Sequence, residues 1–240
     1  MSSLHDDYLI RMMAPFFAAL GQLLFLKKER KAQEALILIN QTSQKLLGLD
    51  SSLLSRLSER YLLELLENTT EYGTARCLVM AALVKQEADV HAMLGDADLS
   101  TALYSRALRF YLAVIPNHKI MDEETHLATL SEIADKLRGA DVLRETRLQL
   151  FRLFVRVNRY AQAENVLYDM LDQDPTDADT MGLGIDFYER LLGLHPARLL
   201  AGKLPREEAE AGLTDLRERL SGLILNDGVV GRADDLPDPQ

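Results

Sequence analysis

Few residues of this chain have the type and spacing to do chemistry. The five histidines are His5, His91, His118, His126 and His195, and no two stand at the H-E-x-x-H spacing of a metalloprotease. Asp122 and His126 are four apart and share a helix face. Two ligands fall short of the three or four that zinc takes, so a capping or solvated pair is expected and no metal site. The single cysteine, Cys77, lies in the apolar stretch "ARCLVMAAL". A thiol nucleophile needs a base beside it, and a buried cysteine packs as a small apolar side chain. Gly182 and Gly184 in "TMGLGIDFY" lack both the strand before and the spacing after of a phosphate-binding loop. Glu123–Glu124 and Glu207–Glu208 are adjacent, so they diverge on a helix and suit its positive end. These residues predict no catalytic group and no cofactor, and hence a protein that is not an enzyme.

One row of side chains suits binding. Arg152 and Arg156 are four apart and lie on one side of a helix, with Arg159 just past its end. Leu150, Leu153, Phe154 and Val157 lie opposite. Guanidinium groups in a row can grip carboxylates of an acidic peptide. The plainer alternative is a solvated face whose charges pair internally.

The elements that position these residues are helical. Leucine occurs 47 times and alanine 25 times, against 18 valines and isoleucines together. Unbranched and γ-branched side chains suit helices, β-branched ones strands. The spacing predicts about ten helices: 29–47 closed by Gly48, one from Asp50–Ser52 to about 66, then 71–94, 98–115, 122–138, 141–157, 160–171, 178–192 and 205–225, after an opening one. Thr176 and Asp179 have capping-box spacing, and "GLHPARLLAGKLP" reads as a connector.

The opening run "DDYLIRMMAPFFAALGQLLFLKKERK" carries no charge between Arg11 and Lys27. A membrane span needs about 20 apolar residues, and this one has Pro15 and Gln22 inside a shorter run. It predicts a helix with a wide apolar face, kinked at Pro15 and begun by Ser3 and Asp6. Three fates fit: burial in its own domain, a homodimer interface through residues 6–26, or membrane association through the adjoining "KKERK". The acidic "MSSLHDD" does not suit a secretory signal.

The net charge of −10 falls wholly in the second half, where 24 acidic residues oppose 14 basic ones. Such a surface repels nucleic-acid backbones and anionic lipid, so no nucleic-acid partner is expected. One cysteine cannot form an internal disulfide, which points to a reducing, cytoplasmic setting.

Two segments resemble tetratricopeptide repeats, paired antiparallel helices of 34 residues. In "AALVKQEADVHAMLGDADLSTALYSRAL" the turn is Gly95–Asp96, with Ala88, Ser100, Tyr104 and Ala107 at the small and aromatic positions. Glu87 and Leu112 depart from the pattern. In "NRYAQAENVLYDMLDQDP" the matching residues are Tyr160, Ala163, Leu167 and Pro175, while Phe151 replaces a small residue and should push its helix pair apart. Some repeats of this kind clamp a partner's terminal carboxylate with lysine and asparagine. Lys85 fits one such position, but Asp89 stands where asparagine would be needed, so that function is not carried over. The opening "DDYLIR" and "KLLGLDSSLLSRLSERYLLELL" resemble an uncharacterised family of small bacterial all-helical proteins, which implies fold and a bacterial cytoplasm but no mechanism.

The expected architecture is all-α: an N-terminal helical module at 1–68, a tetratricopeptide-like array of antiparallel hairpins at 69–225, and a disordered acidic tail at 226–240. The expected function is a non-enzymatic adaptor or scaffold that binds a peptide or protein through Arg152, Arg156 and Arg159. The alternative is a structural homo-oligomer joined through the apolar opening helix.

Overall fold

The computed structural model describes residues 2–50, 53, 58, 60–62, 64, 73–115 and 123–230; for 2–12, 123 and 226–230 it describes the backbone alone. Every regular element among them is a helix: α1 (Ser2–Lys28), α2 (Ala32–Leu47), α3 (Gly73–Leu94), α4 (Ala97–Val114), α5 (Glu123–Lys136), α6 (Arg144–Arg156), α7 (Tyr160–Gln173), α8 (Ala178–Leu192), α9 (Pro196–Ala201) and α10 (Arg206–Val230). The all-α reading of the sequence therefore holds. None of these helices is long and apolar enough to cross a membrane.

The chain forms two compact units, Met1–Val142 and Leu143–Gln240. In the N-terminal unit α3 is the hub. It packs on α4, α2 and α1. Its buried residues, including Cys77, Met80, Leu83, Val84 and Ala88, consequently run around the helix and form no single stripe. Helix α1 buries Phe16, Ala19, Leu23 and Leu26, a 3–4–3 spacing that makes one apolar face. It runs unbroken through Pro15, which forfeits one backbone hydrogen bond. The end of α2 is closed twice. Gly48 adopts φ 73° and its N–H donates to the Gln44 carbonyl, while the Arg76 guanidinium of α3 donates to the Leu47 carbonyl at 2.7 Å. Because α1 and α2 pack on α1's neighbour α3, residues of the expected 1–68 module share a core with the first hairpin. The expected break at 68/69, most of the helix expected at 50–66 and residues 231–240 of the expected tail lie outside the described residues.

Helices α3 and α4 form a hairpin whose two-residue turn is Gly95–Asp96, with Gly95 at φ 83°. Ala107 is fully buried, and the Ser100 hydroxyl donates to the Ala88 carbonyl at 3.0 Å. The small residues let the two helices approach closely.

In the C-terminal unit α6 packs on α7, α7 on α8, and α8 on α10. Three glycines seat neighbouring side chains. A Cβ at Gly184 would stand 2.3 Å from Leu216, at Gly202 2.2 Å from the Tyr160 ring, and at Gly212 2.3 Å from the Tyr188 ring. Phe151 does not simply wedge a hairpin open. It is buried, and its ring meets Phe187 of α8 edge-on at 5.3 Å.

Several local expectations are corrected. The cap before α8 is Asp177, whose carboxylate accepts from the Asp179 and Thr180 amides, so the Thr176–Asp179 box is not the one used. The connector after Leu192 contains α9, which has Pro196 in its first turn and the His195 ring accepting from the Ala197 amide. Helix α6 starts at Arg144 rather than Asp141, and α10 runs to Val230 rather than 225.

Candidate functional site

Helix α6 divides its polar residues between two tasks. Leu150, Phe151, Leu153 and Phe154 are buried, as the spacing requires, and Val157 just beyond the helix is half-buried. Arg147 is also buried. Its guanidinium donates to the Asp169 carboxylate of α7 at 2.9 Å and to the Gln173 side-chain oxygen. Arg144 donates to Asp177 at 3.0 Å and to the Thr180 hydroxyl at 3.1 Å, tying α6 to the start of α8. These two arginines are internal fasteners.

Glu145, Gln149, Arg152 and Arg156 form the opposite, exposed stripe, at alternate steps of four, three and four residues. Gln149 donates to Glu145 at 3.3 Å. Arg152 and Arg156 hold no hydrogen bond or ion pair among the described residues. One turn separates them, about 6 Å along the axis. The two guanidiniums thus present a pair of planar donor forks to solvent, a geometry suited to carboxylates. Arg159 is not on this stripe. It is the residue that precedes α7, half-buried, and its amide donates to the Phe154 carbonyl at 2.8 Å. The structure therefore groups Arg152 with Arg156 and places Arg159 in the α6–α7 turn.

A second polar cluster lies inside the N-terminal unit, and the sequence pattern only half disclosed it. Asp89 of α3 accepts from the Lys27 ammonium of α1 at 2.6 Å, from Lys85 at 3.1 Å and from the Tyr104 hydroxyl of α4 at 2.7 Å. Lys85, itself buried, also donates to Glu132 of α5 at 2.7 Å, and Lys27 donates to Gln86 at 2.6 Å. Burial pushes the Asp89 carboxyl upward, but the hydrogen bonds from Lys27 and Tyr104 and the charges of Lys85 and Lys27 together outweigh it and hold the group below its ordinary value. Burial and the Asp89 carboxylate push the Tyr104 phenol well up, so it stays a proton donor. Two lysines answer two carboxylates, and α1, α3, α4 and α5 meet here. Lys85 is thereby committed within the chain, which closes the carboxylate-clamp position. The i,i+4 pair Lys85–Asp89 was legible in the sequence. Lys27 was not, because 62 residues separate it from Asp89.

A third cluster joins α7, α8 and α10. The Tyr188 hydroxyl donates to Glu164 at 2.5 Å, and the Tyr168 hydroxyl to Asp215 at 3.1 Å. Burial pushes the Glu164 carboxyl up, and the nearby Glu208 charge adds to that, against the Tyr188 hydrogen bond. Both phenols are pushed up by burial first. These bonds satisfy part-buried phenols and carboxylates where the three helices pack.

The residues weighed for chemistry are dispersed. Cys77 is fully buried in α3. The His91 ring faces Asp96 at 3.2 Å, and the His126 ring lies 5.9 Å from that of Tyr111. His5, His118 and Asp122 lie outside the residues whose side chains are described. Among the described residues no three His, Cys, Asp or Glu side chains are grouped to hold a metal ion.

An all-helical chain with these internal charge clusters matches one family model over residues 3–221. The chain belongs to that family, DUF6483, a family of unknown function. No curated protein and no solved structure matches it significantly.

Proposed function

We propose that this protein is a non-enzymatic adaptor or scaffold of the bacterial cytoplasm, and that it binds an acidic peptide or protein segment through Arg152 and Arg156 of α6. The observation that carries this reading is the division of labour along α6. Arg144 and Arg147 are spent on carboxylates of the same chain, whereas Arg152 and Arg156 are exposed, one turn apart and unpaired among the described residues. A charge-assisted, bidentate bond to a carboxylate is the contact such a guanidinium makes best. The surrounding C-terminal half is acidic, so a local basic stripe gives a partner orientation as well as attraction. Arg159 adds positive charge beside the stripe without lying on it.

The hairpins α3–α4 and α6–α7, with Ala88, Ala107 and Ala163 buried at their seams, support a tetratricopeptide-like arrangement. Repeat proteins of that kind are surfaces for other chains, which is an argument by analogy of fold.

The test is binding of a synthetic peptide rich in glutamate and aspartate to the full chain, with the charge-reversed variant Arg152→Glu/Arg156→Glu beside it. The reading predicts salt-dependent binding lost at least tenfold in the variant. Equal binding by both, or none by either, overturns it.

A further inference from the structure

Helix α1 is buried on one side only. Phe17, Leu24 and Phe25 of its other side are 60%, 61% and 58% exposed, and Ala14, Ala18, Gly21 and the single polar residue Gln22 on that side are exposed as well. From these residues we infer that the protein is a homodimer in which α1 packs antiparallel against α1 of a second copy, with the two helices crossing near Ala18. The inference is independent of the arginine stripe on α6.

Three observations lead to a second copy. The first is area. A large apolar side chain of about 200 Å² that is three-fifths exposed offers about 120 Å², so the three large residues and the three small ones present about 500 Å². That is near the upper end of what a monomer leaves bare, and two such faces together reach the about 1,000 Å² that a specific interface needs. The second is Gly21. A Cβ added there meets nothing within 4 Å, so no neighbour within the described chain requires a glycine. A mid-helix glycine is nonetheless costly, and its use fits close approach by another backbone. The third is charge. Helix α1 carries Asp6 and Asp7 in its second turn, with Arg11 after them, and ends in Lys28, beyond the internally paired Lys27, followed by Arg30 and Lys31, with no charge from residue 12 to 26. A parallel pair would set the basic ends side by side. An antiparallel pair crossing near Ala18 separates them by about 30 Å and lays each near Asp6 and Asp7 of its partner. The same pattern argues against a bilayer surface, since a helix lying in that interface carries basic residues along its polar edges and not at one end alone.

The experiment is light scattering on the full chain after size exclusion, with Ala18→Glu, Ala18→Cys and Lys28→Cys variants. The wild type is expected at twice the chain mass of 27.0 kDa. Ala18→Glu is expected at one chain mass with its helical circular dichroism kept, since residue 18 is exposed within each copy. Ala18→Cys, close to the two-fold axis, is expected to form an intermolecular disulfide on mild oxidation. Lys28→Cys is expected not to, and the buried Cys77 leaves the wild type unlinked. A monomeric wild type, an Ala18→Glu variant that stays at two chains, or linkage at residue 28 in preference to 18 would each overturn the proposal. A monomer that sediments with phosphatidylserine vesicles would overturn it in favour of a lipid surface. Acidic-peptide binding measured on Ala18→Glu reports on α6 alone, so the two readings fail separately.

Discussion

Replacing Asp89 with alanine should be among the most damaging single substitutions in the N-terminal unit. The carboxylate accepts from Lys27 at 2.6 Å, Tyr104 at 2.7 Å and Lys85 at 3.1 Å, and the side chains of Lys27, Lys85 and Asp89 are only 15%, 9% and 13% exposed. Breaking a buried ion pair from one side costs about 3–5 kcal/mol, because the surviving charge remains out of water. Glu132 retains Lys85 and Gln86 retains Lys27, so the loss should fall somewhat lower, at about 2–4 kcal/mol. For a unit of this size that is a Tm drop of about 6–12 °C. The assay is thermal unfolding followed by circular dichroism at pH 7, for Asp89→Ala, Lys85→Met and the double variant. The double variant should lose at least about 1 kcal/mol less than the singles added together. Acid titration gives a second readout. The Asp89 carboxyl is held below its ordinary value in the fold, so its contribution is full above the unfolded aspartate pKa of about 3.9 and drains as pH falls through the lower folded value. Asp89→Asn should flatten that acid limb. A loss below about 0.5 kcal/mol, or strict additivity, would mean the cluster behaves as an exposed pair and would refute the reasoning.

Three further substitutions test other parts of the account. Burial pushes the half-buried Glu87 carboxyl up, against the attraction of His91, so its charge opposes folding at neutral pH. A raised pKa means stability that is present at low pH and lost as pH rises through the folded value, so Glu87→Gln should raise the Tm at pH 7 and close the gap near pH 4; a lower Tm at pH 7 would contradict it. Gly212→Ala drives a methyl to 2.3 Å from the Tyr188 ring, which is fixed by its bond to Glu164, and should cost about 1–3 kcal/mol by denaturant titration. At Gly184 the obstacles are the flexible tips of Leu216 and Leu167, so alanine there should cost clearly less, and equal costs would show that the tyrosine is not fixed.

The helical class was legible because leucine so outnumbers the β-branched residues. Helix ends were legible where glycine marks them: Gly48, Gly95 and Gly139 all stand at positive φ. Short and local exceptions were not. Six residues are too few for a helical period, so α9 passed as connector, and Asp177 rather than its neighbours caps α8 because its carboxylate reaches two amides at once. The outward face of α6 could be read from spacing, since Arg152 and Arg156 lie opposite Leu153 and Phe154. The inward tasks of Arg144 and Arg147 could not, because their partners Asp177 and Asp169 are 33 and 22 residues away. The same limit hid Lys27 from Asp89. For α1, composition alone announced an apolar helix and left its fate open; the fold covers Leu23 and Leu26 and leaves Leu24 and Phe25 bare.

The most direct test of the proposed function is a tagged pull-down from extract of the cells that make the protein, wild type beside Arg152→Glu/Arg156→Glu, with wild type and variant first shown to unfold at the same temperature. The account predicts a stoichiometric partner on the wild type, released by salt and absent from the variant. A partner retained undiminished by the variant would contradict the assignment of binding to α6.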